Sequence, residues 1–303
     1  SPEDAGSTVG TLGIPEYNTR FVRQMLEDTR PQTFADLVRI MGLSHGTDVW
    51  LNNAQDLVRQ KTATLAETIA CRDDIMTYLV RQGLPAATAF EIMERVRKGR
   101  GLRSEDEAAM LEHDVPRWYV DSCKKISYLF PKAHAAAYAI MAFWQAYYKV
   151  HYPLQFYAAY FSVRANEFDA QLVMQGKSVV KKTLKQLEEK GNEATGKEKS
   201  LITLLEVALE AMARGIGFLP VDLYQSDVSR FTIVGNKLRP PLVGLQGVGE
   251  SAAEALVKAR QERPFTSVED LRKRAGVSRA VTDVLMEHGA LADLPESDQL
   301  TLF

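Results

Sequence analysis

Cysteine is almost absent from this chain. Its 303 residues include two, Cys71 and Cys123, and neither has a cysteine or histidine nearby at metal-ligand spacing. That excludes a disulfide framework and gives no zinc signal, so both read as reduced thiols of a cytoplasmic protein. Net charge is scarce too: 37 Lys and Arg against 39 Asp and Glu leave −2. Such a balance excludes a globally basic sleeve for nucleic acid, although it permits local basic patches. Long hydrophobic runs are missing. The apolar stretch from Ala135 to Tyr148 is interrupted by Gln145 and is too short to span a bilayer, so it is expected to be a buried helix. No signal peptide is read in its opening residues, and it shows no solenoid-type repeat and no Asp-x-Asp pair. It opens at Ser1 rather than Met, in a segment containing Gly, Ser and Pro, and is expected to be a piece of a longer protein.

Helix signals, by contrast, dominate the first two thirds. Thr33 is a capping residue ahead of Phe34, Leu37 and Met41, which fall on one face. Thr64 to Ile69 and Asp73 to Val80 repeat the pattern, with Gly83-Leu84-Pro85 as a stop. Ala86 to Lys98 is amphipathic and ends at Gly99 and Gly101. Ser104 to Glu107 reads as a capping box that opens the next helix. Lys181 to Glu189 and Lys199 to Ala213 follow, separated by a polar loop. After Gly215 the texture changes. Arg230 to Val234, the pair Gly235-Asn236 and Lys237 to Arg239 predict a small β-hairpin closed by Pro240-Pro241. From Val243 a distinct small helical module runs to about Leu291. The fold class is therefore mainly α, a large helical domain followed by a hairpin-plus-helices module.

Four places carry chemistry. The first is Lys124 to Tyr138, where Pro131 breaks the chain ahead of a helix. Lys132 and His134 fall in its first turn, where unpaired backbone N–H groups favour an anion. His134 and Tyr138 share one face. A cation, an imidazole and a ring over a helix N-terminus fit a nucleoside triphosphate. Taken alone, however, the residues fit better a surface helix with a satisfied, half-buried histidine. The second place is Gly247-Val248-Gly249 ahead of the helix from Ser251. Its glycines let backbone N–H groups approach a phosphate, with Lys258 and Arg260 adding charge. The plain alternative is a tight turn between helices, with Glu250 unhelpful to an anion. Gly276 to Arg279 repeats the layout without a Gly-x-Gly and reads as a structural partner. Third, Arg95, Arg97, Lys98, Arg100 and Arg103 put five positive charges into nine residues, with Glu94 opposing them. The helix dipole explains part of that excess, and a phosphate-backbone contact explains the rest. At the end, Gln299-Leu300-Thr301-Leu302-Phe303 has two large apolar residues on a polar tail, a pattern suited to plugging a partner's pocket.

The wording of the first stretch carries more. Phe130-Pro131-Lys132-Ala133-His134-Ala135-Ala136-Ala137-Tyr138-Ala139, running on to His151-Tyr152-Pro153, resembles the fingers region of bacterial C-family replicative DNA polymerases. The likeness extends to Thr11 to Glu16, to Gly42 to Trp50 and to Cys71-Arg72-Asp73-Asp74, and it covers essentially the whole chain. It is similar above all to the PolC type of DNA polymerase III alpha subunit. The DnaE type carries its clamp motif internally, whereas here the similar QLTLF motif ends the chain. The Gly247 to Gly249 turn resembles a helix-hairpin-helix.

The resemblance implies a fingers domain over 16–217, preceded at 1–15 by a linker from a palm domain. A duplex-DNA-binding module over 218–291 and a flexible clamp-binding tail over 292–303 would follow. Implied partners are the incoming dNTP, primer-template DNA, the sliding clamp and other replisome subunits, with no membrane and a location in the bacterial cytoplasm. Arg72, Lys132 and His134 would contact the triphosphate and Tyr128 would lie beside the nascent base, with Ser44 and His45 in a motif near that pocket. Gln299, Leu300, Leu302 and Phe303 would hold the clamp. The family's metal carboxylates, which hold Mg²⁺, belong to the palm. Asp73 and Asp74, adjacent on a helix, are expected to point apart. No catalytic residue or metal site is thus expected here, and the chain alone is expected to be inactive. The competing reading is a non-catalytic DNA-binding adaptor tethered to the clamp.

Overall fold

The computed structural model describes residues 6–297. They divide into two compact units, Val9–Ala146 and a second that contains Tyr147 onward together with the described residues up to Thr8.

The first unit is built from short helices: α1 (Arg20–Thr29), α2 (Phe34–His45), α3 (Gln55–Arg59), α4 (Arg72–Arg81), α5 (Ala86–Arg97), α6 (Ser104–Glu112), α7 (Arg117–Lys125) and α8 (Lys132–His151), which supplies residues to both units. Local chemistry sets several starts. Thr33 accepts the Asp36 amide at 3.2 Å while Asp36 accepts the Thr33 amide at 2.9 Å, so the expected cap of α2 is a reciprocal one. The core joins Met25, Ile40, Met41, Ile69, Ile75, Leu79, Ile92 and Val96, all at most 1% exposed. Burial pushes the Cys71 thiol up to about 12, and both cysteines are free.

Residues 64–69, expected as a helix, form a single turn followed by buried extended chain. Glu67 folds back onto the Thr64 amide and hydroxyl at 2.8 and 2.7 Å, closing that turn locally. Ser104 is the first residue of α6 rather than its cap, and Asp106 accepts the Arg103 amide at 2.9 Å instead. The largest departure is α8. Only its small residues Ala135, Ala139 and Ala142 and the distant Lys149 are buried. Phe143, Trp144, Tyr147 and Tyr148 are all more than half exposed, so the expectation of a buried helix fails. An alanine stripe packs one side of α8, and the apolar residues off that stripe stay open.

In the second unit α8 is followed by α9 (Pro153–Val163), α10 (Ala170–Met174), α11 (Lys177–Glu189) and α12 (Gly196–Ala213). Strands β1 (Gly217–Phe218), β2 (Thr232–Val234) and β3 (Lys237–Arg239) form one sheet in the order β1-β3-β2. The β2–β3 hairpin is antiparallel with Ile233 opposite Leu238, as its Gly235-Asn236 turn predicts, and β1 adds a parallel edge. Phe161, Phe168, Phe218 and Phe231 pack edge-on and tilted between helices and sheet, with centroids 4.9–5.8 Å apart. Lys149 is buried against Glu210 at 2.7 Å, and Tyr157 donates to the same carboxylate at 2.8 Å. Burial lowers the Lys149 ammonium below its usual range, and Glu210 partly opposes that. Helices α13 (Glu250–Glu262), α14 (Val268–Ala275) and α15 (Arg279–Glu287) complete the unit. The carbonyls of Pro295 and Glu296 accept the first amides of α14 at 2.9 and 3.1 Å.

Candidate nucleotide and nucleic-acid interface

Segment 127–130 is what sets the start of α8. Thr47 donates its amide to the Tyr128 carbonyl at 3.0 Å, Leu129 donates to Arg97 O, and Arg72 donates to Phe130 O at 3.3 Å. Gly99, at φ +66°, lets the strand pass, since a Cβ there would meet Ser127 O at 2.5 Å. Three elements thus present Pro131 and Lys132 beside the N-terminus of α4.

Asp73 Oδ2 accepts the Lys132 amide at 2.9 Å and lies 3.9 Å from Arg72 Nε, while Asp74 Oδ1 accepts the Lys132 ammonium at 2.9 Å. The two adjacent carboxylates therefore converge on Lys132 instead of pointing apart. Both stand in the first turn of α4, where Asp74 folds back onto the Ala70 and Cys71 amides at 3.2 and 2.9 Å. Arg39 Nη1 approaches Asp74 at 3.5 Å, which adds a cation the sequence did not point to. An anion already sits at the α8 N-terminus, and it is the protein's own. Arg72 and Lys132 remain partly exposed, 37% and 49% by side chain.

Above them is a group of rings. Phe130 lies 6.0 Å from His134, 6.3 Å from Tyr138 and 4.9 Å from His45. Tyr128 stands outside that group, its backbone paired with Thr47. Tyr138 follows His134 by four residues on the same α8 face, as the spacing predicts, and Tyr128 precedes the helix. Among the described residues no group of three His, Cys, Asp or Glu is placed to hold a metal ion.

The basic cluster is more heavily paired than Glu94 alone predicted. Arg95 is bound in two places to buried Asp106, including 2.9 Å through Nε, and lies near Glu91. Arg97 and Lys98 both hold Glu94, pulling that carboxyl down to about 2, and Arg103 approaches Glu105 at 3.6 Å. Arg100 is exposed.

At the second turn, Gly247 adopts φ +104° and Gly249 is open, with nothing near an added Cβ. No side chain caps α13, whereas Ser278 caps α15 by accepting the Val281 amide. The Gly276 turn thus leads into a helix capped by a side chain, and the Gly249 turn into one that is not. Val248 is buried and donates its amide to Leu245 O at 3.0 Å. Lys258 is exposed, but Arg260 turns inward onto Leu223 O and Ser226 O, the latter at 2.7 Å. Lys197, on α12, donates its Nζ to Gln246 Oε1 at 3.1 Å next to the Gly247 turn. Gln299, Leu300, Leu302 and Phe303 lie outside the described residues.

Residues 6–115 match the family model described as bacterial DNA polymerase III alpha subunit finger domain, and 215–300 match the helix-hairpin-helix motif. A protein named DNA polymerase III PolC-type from Caldanaerobacter subterraneus subsp. tengcongensis is 56% identical over 302 residues, which is 100% of this chain and 22% of the relative. The protein of that name in Bacillus subtilis is 54% identical over 301 residues, 99% of this chain and 21% of its own. The Thermotoga maritima one is 53% identical over 302 residues, with 100% and 22% covered. The chain spans about a fifth of the length of these relatives.

Proposed function

Because the chain belongs to the PolC-type DNA polymerase III family, we propose that it is the fingers and duplex-binding part of a replicative DNA-directed DNA polymerase. It binds the incoming dNTP, primer-template DNA and, through its last five residues, the sliding clamp. The observation that carries the nucleotide role is the meeting of Arg72 and the Lys132 amide on the Asp73 carboxylate at the α8 N-terminus, which marks an anion position in the helix turn that also carries His134. Triphosphate oxygens take the place of that carboxylate, and the cations stabilise the charge that develops on the leaving pyrophosphate. Tyr138, and not Tyr128 alone, lies toward the base.

The catalytic carboxylates and their Mg²⁺ belong to the remainder of the polymerase, which would place the enzyme with its replisome partners in the bacterial cytoplasm. No helix among the described residues is long and apolar enough to cross a membrane. Alone, the chain should not extend a primer with Mg²⁺ and dNTPs, and template-dependent extension by the purified chain would refute this. DNA is held by the uncapped helix start at Gly249, with charge from Lys258 and Lys197, and by Lys98, Arg100 and Arg103. Affinity for duplex should be sequence-indifferent and fall steeply with salt, since counterion release drives it. Gly249→Val should weaken it without unfolding, because the added side chain meets open space in the free protein and phosphate in the complex. Salt-independent binding, or unchanged affinity in that variant, would overturn the assignment.

A further inference from the structure

The rings beside the α8 N-terminus rest on a support that the nucleotide reading leaves unassigned. Glu16 adopts a left-handed backbone conformation, φ +66°, which residues bearing a Cβ rarely take. From there its Oε2 lies 3.1 Å from His45 Nε2. The other ring nitrogen of His45 lies 3.0 Å from Ser44 Oγ and 3.1 Å from Met41 O. With a partner at each nitrogen, the imidazole is fixed in plane and tilt. Its ring is held 4.9 Å from Phe130 and within 9° of parallel to Tyr138 at 6.3 Å.

Stability does not explain this arrangement. The Glu16 and His45 side chains are 38% and 30% exposed, and ion pairs that wet contribute little to folding. A disfavoured backbone and a partnered imidazole, 29 residues apart in sequence, instead fix the position of half-buried Phe130 and exposed Tyr138. Tyr138 is six residues beyond Lys132, about 9 Å along the helix axis. That is comparable with the span from a nucleotide's phosphates to its base.

We infer that Glu16 and His45 are positioning residues that hold Phe130 and Tyr138 at a fixed tilt against the base of the incoming nucleotide, and so help to select it. The inference rests on the α8 N-terminus being the triphosphate site. Tyr138 keeps 46% of its surface open for the base, while His45 and Phe130 back the ring.

The test is single-nucleotide insertion by the full-length polymerase carrying Glu16→Gln, His45→Ala, His45→Phe, Tyr138→Ala or Lys132→Ala. Glu16→Gln and His45→Ala should raise KM for the correct dNTP roughly three- to tenfold, the range set by one aromatic contact, with kcat within about twofold. Discrimination against a mismatched dNTP should fall, and the thermal midpoint and KM for primer-template should stay as in the parent. His45→Phe, which keeps a ring face against Phe130, should recover part of the KM. Unchanged KM and discrimination in Glu16→Gln and His45→Ala, alongside a raised KM in Tyr138→Ala and Lys132→Ala, would overturn the positioning role alone. Unchanged KM in all five variants would overturn the nucleotide site itself and the inference with it.

Discussion

Lys132 separates a functional contact from a structural one, because its two roles differ in expected size. In the folded chain its ammonium pairs with Asp74 at 2.9 Å while its side chain is 49% exposed. A pair this wet contributes between zero and about 1 kcal/mol. Asp74, moreover, keeps two backbone amides and Arg39 when the lysine is removed. Lys132→Ala should therefore lower the thermal midpoint by no more than about 2–4 °C. A charge-assisted contact to triphosphate is worth about 1.5–3 kcal/mol, which is a loss of roughly 13- to 160-fold in kcat/KM for dNTP. The assay is steady-state incorporation by the full-length polymerase at fixed primer-template, with melting of the same sample. Asp74→Ala supplies the contrast: it strips a buried carboxylate from Lys132, Arg39 and the α4 start, so its melting should suffer more than that of Lys132→Ala. Unchanged kcat/KM for dNTP in Lys132→Ala would refute the triphosphate contact. A large fall in its midpoint would refute the view that the Asp74 pair is peripheral.

Glu210→Ala should cost about 3–5 kcal/mol in chemical denaturation, since it leaves Lys149 buried without its carboxylate. Replacing both residues by Met should restore much of that loss; if it does not, packing rather than charge governs the site. Glu94 has a carboxyl depressed from 4.5 to about 2 by hydrogen bonds from Arg97 and Lys98, so its stabilisation is present above pH 4.5 and fades as pH falls toward 2. Glu94→Gln should flatten that part of the melting-temperature profile, and an unaltered acid limb would count against the pairing. A peptide of Gln299 to Phe303 should bind the sliding clamp saturably in a polarisation titration, with Leu302→Ala and Phe303→Ala each losing about 1.5–3 kcal/mol. No saturable binding would remove the clamp from the partners.

Much of this protein was legible in its sequence. Thr33 and Gly235-Asn236 specify their cap and turn through neighbours a few residues away, so local chemistry alone places α2 and the β2–β3 hairpin. The run Phe130 to Ala139, with the Gly247 to Gly249 turn, was enough to identify a fingers domain followed by a hairpin-and-helices module. Side-chain partnership was not legible, because it depends on which distant segments meet. Five cations in nine residues have only Glu94 against them in the sequence, yet Asp106 and Glu105 on the next helix take up Arg95 and Arg103. Arg260 reads as a DNA contact in the sequence but caps carbonyls at 223 and 226, while Lys197, 49 residues before Gln246, is the cation that reaches the residue next to the Gly247 turn. Period alone could not reveal that α8 buries its alanines and exposes its aromatics, since a helical stripe does not say which side its neighbours occupy. Adjacent Asp73 and Asp74 converge on Lys132 only because tertiary contacts from Thr47, Arg97 and Arg72 hold segment 127–130 over the α4 N-terminus. Local chemistry settled the α2 cap and the β2–β3 turn, and long-range packing decided which charges and rings remain open to a ligand.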